Sequence, residues 1–307
     1  MNKMRNKKKN KSENKNSNKN SYIIIISFVW ILILTNLVMP VLVSSVFQNQ
    51  SENTQRLLSS TFSQIFIIGG FSFLLLKKFP GYTELKIINL ETGKRTYIRN
   101  LLATVLFFYA SKFVFDSLGL VYISLTENFN IIHKIAPLDM PSFLIYVFLL
   151  GVLPAIFEEL YYRHVIYIYY SEMKKSFGFF LSAFLFAIAH SGFQRIIITF
   201  VFAMLLMKAF EETEALILPV TMHLIFNVLT LYHDHIILLP SENILVQYKY
   251  TSPIGCLIEA LQFLAFGLCL SAITYAALFS QDLMAYVRLL KRSIIDRHGR
   301  VYADRIK

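Results

Sequence analysis

The chain is predicted to be an all-α polytopic membrane protein with about eight transmembrane helices. Hydrophobic residues make up 55% of the 307 residues and charged residues 16%, whereas a soluble domain carries about 25% charged residues. The mean hydropathy is +0.53. The apolar residues are gathered in runs long enough to cross a bilayer, and the length of the chain fits one helical bundle.

Polar, basic segments are found at both ends of the chain. Residues 1–21 hold eight basic residues and one acid, Glu13, with almost no apolar side chains, so this segment is expected to be disordered. The helical bundle is predicted over residues 22–280. Residues 281–307 are predicted to form a second basic tail in the cytoplasm, where basic side chains contact anionic lipid.

Eight apolar runs define the helices in order. The first run, from Tyr22 to about Phe47, is too long for the apolar part of a signal peptide and is therefore predicted to be an uncleaved helix. The fifth and sixth runs are short for full spans. The runs cover residues 22–47, 61–76, 100–122, 141–170, 176–190, 196–207, 215–232 and 254–280.

The distribution of lysine and arginine predicts the orientation. With the N-terminus in the cytoplasm, 24 of the 30 basic residues lie in segments on the inner side and 4 in segments on the outer side. This asymmetry follows the positive-inside rule and predicts a multi-pass protein of the cell membrane with both termini in the cytoplasm. Because the basic residues flank apolar runs, the bilayer is the expected partner and no nucleic-acid partner is expected.

Three charged residues lie inside the fourth run. Glu158, Glu159 and Arg163 are its formal charges, and a charge near the bilayer centre costs about 2.5–3.5 kcal/mol, so the group indicates a reactive site. On a helix, Glu159 and Arg163 are i,i+4 neighbours that can pair, while Glu158 points about 100° away. We expect Arg163 to hold Glu159, and Glu158 to face a cavity as a base. The alternative is a buried polar knot that fixes helix packing.

Two other runs carry isolated polar side chains at a similar depth. His190 ends the fifth run, and His223 and Asn227 share one face of the seventh. With the predicted orientation and a rise of about 1.5 Å per residue, Glu158 and these three side chains fall in one slab of the membrane. The sequence therefore predicts that they form a single site.

The chemistry of these side chains suits hydrolysis of an amide by water. A carboxylate can activate water as a general base, and a histidine can orient that water or carry its proton. A second histidine and an asparagine can donate hydrogen bonds to a developing oxyanion. The set Glu158, His190 and His223 could instead hold Zn²⁺, and the residues alone leave both chemistries open.

Three motifs in order resemble the CPBP family, the CAAX proteases and bacteriocin-processing enzymes also called the Abi family. Glu-Glu-x-x-x-Arg stands at Glu158 to Arg163, Phe-x-x-x-His at Phe186 to His190, and His-x-x-x-Asn at His223 to Asn227. The resemblance covers residues 140–232, whereas the flanking helices are similar only in being hydrophobic. It implies an intramembrane protease whose eight helices pack around a polar chamber inside the membrane.

The resemblance also implies a role for each motif residue. Glu158 would be the general base and His190 would help to position the water, while His223 and Asn227 would stabilise the oxyanion. Glu159 and Arg163 would support the site. A glutamate-dependent endopeptidase and a metalloendopeptidase are both consistent with this family. The Asn-, Lys- and Ile-rich composition indicates a low-GC bacterium, so a membrane-associated peptide or protein is expected as the substrate.

Two other classes of function remain open from the sequence. A non-catalytic membrane scaffold or bacteriocin self-immunity protein could keep the polar group as structure. A transporter could use the carboxylates as a proton or ion site, although the sequence shows no inverted repeat.

Overall fold

The computed structural model describes residues 21–79, 86–89, 91–126, 138–190, 193–233 and 253–276. The tails predicted at 1–21 and 281–307 lie outside these ranges, apart from Ser21. Within the described ranges the chain forms eight helices and no strand. They are α1 (Ser21–Val46), α2 (Glu52–Lys78), α3 (Lys94–Thr126), α4 (Met140–Ser171), α5 (Lys175–Ile188), α6 (Phe193–Thr213), α7 (Ile217–Tyr232) and α8 (Pro253–Ala276).

The all-α membrane class is confirmed. Among the described residues, α1, α2, α3, α4 and α8 are long and apolar enough to cross a membrane, and α5 and α7 are shorter apolar helices. Eight full spans therefore remain a prediction. Several predicted helix bounds were wrong. Helix α2 begins at Glu52 and not at residue 61. Helices α3 and α6 are longer at both ends than the predicted ranges 100–122 and 196–207.

Local sequence signals explain where two of the central helices begin. The side chain of Ser51 accepts a hydrogen bond from the Thr54 backbone N–H at 3.2 Å and caps α2. Asp139 caps α4 in the same way through the Ser142 N–H at 3.0 Å. The hydrogen bonds from Ser142 hold the pKa of Asp139 below its usual range. Such caps satisfy backbone donors that a helix start otherwise leaves open.

The chain divides into two compact units, residues 1–94 with 133–241 and residues 95–132 with 242–307. In the first unit, α4 is central and contacts α2, α5 and α7, while α6 packs against α5 and α7. In the second unit, α3 and α8 pack antiparallel. The Ser117 hydroxyl donates to the Ala260 carbonyl at 2.7 Å, and the Ser124 hydroxyl to the Pro253 carbonyl at 2.8 Å.

Helices α4 and α5 approach each other closely at Gly178. A Cβ atom at this position would lie 2.6 Å from the Ser171 nitrogen and 3.0 Å from the Tyr167 carbonyl oxygen. Both are backbone atoms, so neither can rotate away. The glycine therefore allows the short turn that returns the chain from α4 into α5.

We expect Gly178→Ala to lower the free energy of unfolding by about 1–3 kcal/mol, because overpacking forces the two backbones apart. Gly70→Ala is the matched control, since a Cβ there would meet nothing within 4 Å. The control is expected to gain about 0.5–1 kcal/mol from its higher helix propensity. The stability changes of both variants are measured as unfolding midpoints in mixtures of detergent and SDS. Equal midpoints for the two variants would show that the close approach does not constrain the turn.

Candidate active site

Glu158 lies at the deep end of a cavity in the first unit. Its side chain is 11% exposed, and Oε1 accepts a hydrogen bond from Gln64 Nε2 at 2.7 Å. Within the described part of the chain, the buried Oε2 has no hydrogen-bond partner. A buried carboxylate oxygen in that position is able to accept a proton from a bound molecule.

Glu159 and Arg163 form a fully buried ion pair on the same helix. Arg163 Nε lies 2.9 Å from Glu159 Oε2, and both side chains are 0% exposed. The guanidinium carbon sits 4.8 Å from the centre of the Phe186 ring, which adds a cation–π contact. A charge pair enclosed in this way holds its members in one geometry, as the i,i+4 spacing predicts.

His223 lies between the two carboxylates. Its Nδ1 is 2.8 Å from Glu159 Oε1, which is a hydrogen-bond distance, and its Nε2 is 4.0 Å from Glu158 Oε2, which is not. The Phe186 and Phe202 rings flank the imidazole, with centroids 5.6 Å and 5.9 Å away. Glu159 and the two rings therefore fix the orientation of His223 and direct its Nε2 towards Glu158.

The orientation of His190 follows from one contact. Its Nδ1 is 2.8 Å from the Phe186 carbonyl oxygen. A carbonyl can only accept, so Nδ1 carries the hydrogen in this bond. In the neutral ring, Nε2 then keeps a lone pair. His190 lines the same cavity as Glu158, where it can accept a hydrogen bond from water.

The cavity brings the four residues predicted as catalytic to one space. It has a volume of about 950 Å³, and Glu158, His190, His223 and Asn227 all line it. Glu159 and Arg163 do not appear in its wall and are fully buried behind it. The structure therefore separates the predicted set into side chains that a bound molecule can touch and side chains that hold them.

Gln64 on α2 is a site residue that the sequence interpretation missed. It is 9% exposed and lines the cavity where it donates to Glu158. The signal was present as an amide, preceded by Ser63, in an otherwise apolar run. It was overlooked because α2 carries no recognisable motif, and because its contact with Glu158 joins residues 94 positions apart.

Glu158, His190 and His223 are the zinc ligands that the sequence left open as an alternative. In the described part of the chain, no group of three or more His, Cys, Asp or Glu side chains is arranged to hold a metal ion. Nδ1 of His223 is engaged by Glu159, and Nδ1 of His190 by a carbonyl. These contacts leave Nε2 of both histidines open, which is also how metal-ligating histidines are held, so they do not by themselves exclude a metal.

Comparison with protein-family models matches residues 140–229 to the family described as type II CAAX prenyl endopeptidase Rce1-like. Comparisons with curated proteins and with solved structures found no match. The matched range contains all three motifs, so the family resemblance drawn from them is confirmed. The match supports a protease and, together with the apolar helices, a multi-pass membrane protein.

Proposed function

We propose that this chain, whose residues 140–229 carry the Rce1-like domain, is an intramembrane endopeptidase that hydrolyses a peptide bond with water activated by Glu158. The observation that carries the proposal is the buried Glu158 carboxylate in the cavity wall, with Oε2 facing His223 Nε2 at 4.0 Å. This separation is too long for a direct hydrogen bond, so Oε2 is open to a water molecule in the cavity. A water bound to Oε2 is the proposed nucleophile.

The neighbours of Glu158 suit a general base. Gln64 fixes one carboxylate oxygen, so Oε2 is the oxygen left to take the proton from water. His190 can accept the second hydrogen of that water through Nε2, which orients the water lone pair away from both acceptors. The lone pair is then directed at a peptide carbonyl in the cavity. When the C–N bond of the resulting tetrahedral intermediate breaks, Glu158 returns its proton to the leaving amine. A positioned general base of this kind contributes about 10²–10⁴-fold to a rate.

His223 and Asn227 are proposed to stabilise the oxyanion. Nδ1 of His223 donates to Glu159, so Nε2 can donate to the oxyanion when both ring nitrogens carry hydrogen. The Asn227 amide, one helical turn further along α7, offers a second donor to the same cavity. Glu159 and Arg163 are positioning residues that act through His223.

The proposed substrate is a membrane-associated peptide or protein of a bacterial cell, with the protein in the cell membrane and both termini in the cytoplasm. The bilayer is the other expected partner, and no nucleic-acid partner is proposed. The non-catalytic scaffold or immunity protein is the alternative function. The family match does not favour it, and a purely structural knot does not require Glu158 to line a cavity of this size.

The proposal is tested in the native host by comparing peptide profiles. A deletion strain would receive the wild type or Glu158→Gln at matched membrane levels, and membrane and secreted peptides would be compared by mass spectrometry. A precursor that accumulates only with the variant supports the protease and identifies its substrate. Identical profiles, with a phenotype that both proteins rescue, would favour the scaffold.

Gln64→Leu is expected to lower kcat about 10–100-fold, because a hydrogen bond to a charged group contributes about 1.5–3 kcal/mol. The Glu158 carboxylate would remain but would lose the contact that orients it. Thr61→Val is the control on the same helix, since within the described residues the Thr61 hydroxyl bonds only to the Leu57 carbonyl of its own helix. Single-turnover cleavage by the purified protein measures both. Equal kcat values for Gln64→Leu and the wild type would exclude the orienting role.

A further inference from the structure

The active-site cavity has a closed end and an open end. Glu158, His223 and Ser63 at one end are buried, whereas Ser44, Glu52 and Arg195 at the other are exposed. The exposed residues lie near the C-terminal end of α1, at the start of α2 and at the start of α6. The mouth is therefore formed around the α1–α2 loop.

A polar stripe on α2 joins the mouth to the base. Glu52, Gln55, Arg56, Ser59, Ser60, Ser63 and Gln64 all line the cavity, and their spacing of three and four residues places them on one face of the helix. The stripe rises about 18 Å along the helix. That distance accommodates about five residues of extended peptide, at about 3.3 Å for each residue. Facing it on α1, Thr35, Asn36 and Ser44 line the opposite wall.

The deep part of this groove presents polar atoms that are still open to a ligand. Ser63 and Gln64 are 6% and 9% exposed, and in the described residues Ser63 Oγ and Gln64 Oε1 have no hydrogen-bond partner. Each such group costs about 1–3 kcal/mol unless something polar binds it. Backbone amides of an extended peptide supply donors and acceptors along the whole stripe. A lipid chain supplies none, so the groove suits a peptide.

The mouth lies on the side that the basic residues assign to the exterior. The segment before α1 carries eight basic residues and is predicted in the cytoplasm, so the α1–α2 loop at the other end of α1 is predicted outside. The same rule places the start of α6 outside. The two parts of the chain that form the mouth are therefore assigned to the same side. The Met173 turn between α4 and α5 is predicted on the cytoplasmic side and marks the opposite end.

We propose that the substrate reaches Glu158 from the outer side of the membrane, as an extended segment bound between α1 and α2. The inference rests on the proposed protease function and specifies its substrate class: an exported peptide, or an outward-facing segment next to a membrane anchor. A cytoplasmic C-terminal tail would not reach the base of this groove.

Cysteine accessibility tests the proposal in intact cells. In a Cys256→Ala/Cys269→Ala background, single cysteines replace Ser44 and Ser60 in the groove, and a membrane-impermeant maleimide is added from outside. Both are expected to react, because a thiolate forms readily only where water reaches it. Phe66→Cys is the control on α2, since Phe66 is 68% exposed on the apolar side of the helix. It is expected to react at least about 10-fold more slowly.

Met173→Cys is the control for sidedness and is expected to react only after permeabilisation. If the groove cysteines instead react only after permeabilisation, or if Ser60→Cys reacts no faster than Phe66→Cys, the proposal is overturned. Labelled Ser60→Cys is also expected to lose processing of the native substrate. Unchanged processing would show that the peptide does not use the groove. Labelling does not depend on catalysis, so an inactive wild type would reject the protease and leave the access result intact.

Discussion

Glu158→Gln is expected to insert and fold like the wild type and to cleave about 10²–10⁴-fold more slowly, the usual contribution of a general base. The substitution keeps the size of the side chain, and the new amide oxygen can still accept the hydrogen bond from Gln64. The amide cannot take a proton from water. The loss should therefore appear in kcat, with little change in the binding of substrate. Single-turnover assays on the purified protein separate the two quantities.

Glu214→Gln is the matched control for this prediction. Glu214 does not line the cavity, and its carboxylate pairs with Lys86 at 3.7 Å and is 73% exposed. Removing that charge leaves the chemistry at the base of the cavity unchanged, so kcat should stay within a factor of about 3, the spread of a weak surface pair. Full activity of Glu158→Gln with the native substrate would falsify the mechanism.

Arg163→Met is expected to lower the free energy of unfolding by about 3–5 kcal/mol, which is the usual cost of leaving one buried charge without its partner. The guanidinium is 0% exposed and lies 2.9 Å from Glu159. Its removal also takes away the contact over the Phe186 ring. SDS titration followed by circular dichroism measures the change, and activity should fall with it, because Glu159 then no longer holds His223 in a fixed position.

Two further variants identify the cause of that loss. Arg56→Met removes the same side chain from an i,i+4 pair that is exposed, and its stability should change little. Glu159→Gln combined with Arg163→Met removes both buried charges and should be more stable than Arg163→Met alone. A double variant as unstable as the single one would assign the loss to packing of the arginine side chain and not to charge.

The existence of each helix could be predicted from the sequence, but several of its ends could not. Hydropathy detects the apolar part of α2 and overlooks Glu52 to Ser60, since most of those residues are polar and still helical. Five of them line the cavity, so the part of the helix that hydropathy overlooks contributes to the candidate site. The end of α6 was missed because it carries charged residues, of which Lys208 and Glu212 pair at 3.5 Å.

The candidate site, too, could be predicted from the sequence only in part. The motifs on α4, α5 and α7 gave the residues and their common depth, and the i,i+4 spacing gave the Glu159–Arg163 pair. The contacts between helices could not be read from spacing. Glu159 reaches His223 across 64 positions, and Gln64 reaches Glu158 across 94. Both pairs of residues become neighbours only because α2 and α7 pack against α4.

The shortness of α5 and α7 has a consequence for the lipid around the protein. With 14 and 16 residues, they are about 21 Å and 24 Å long, whereas the hydrocarbon layer of a typical bilayer is about 30 Å thick. Since both helices are predicted to span the membrane, a hydrophobic mismatch of this size is expected to draw the two leaflets together beside them. Acyl-chain length is then expected to determine how far water and head groups descend towards His190, with short-chain lipids matching the protein best.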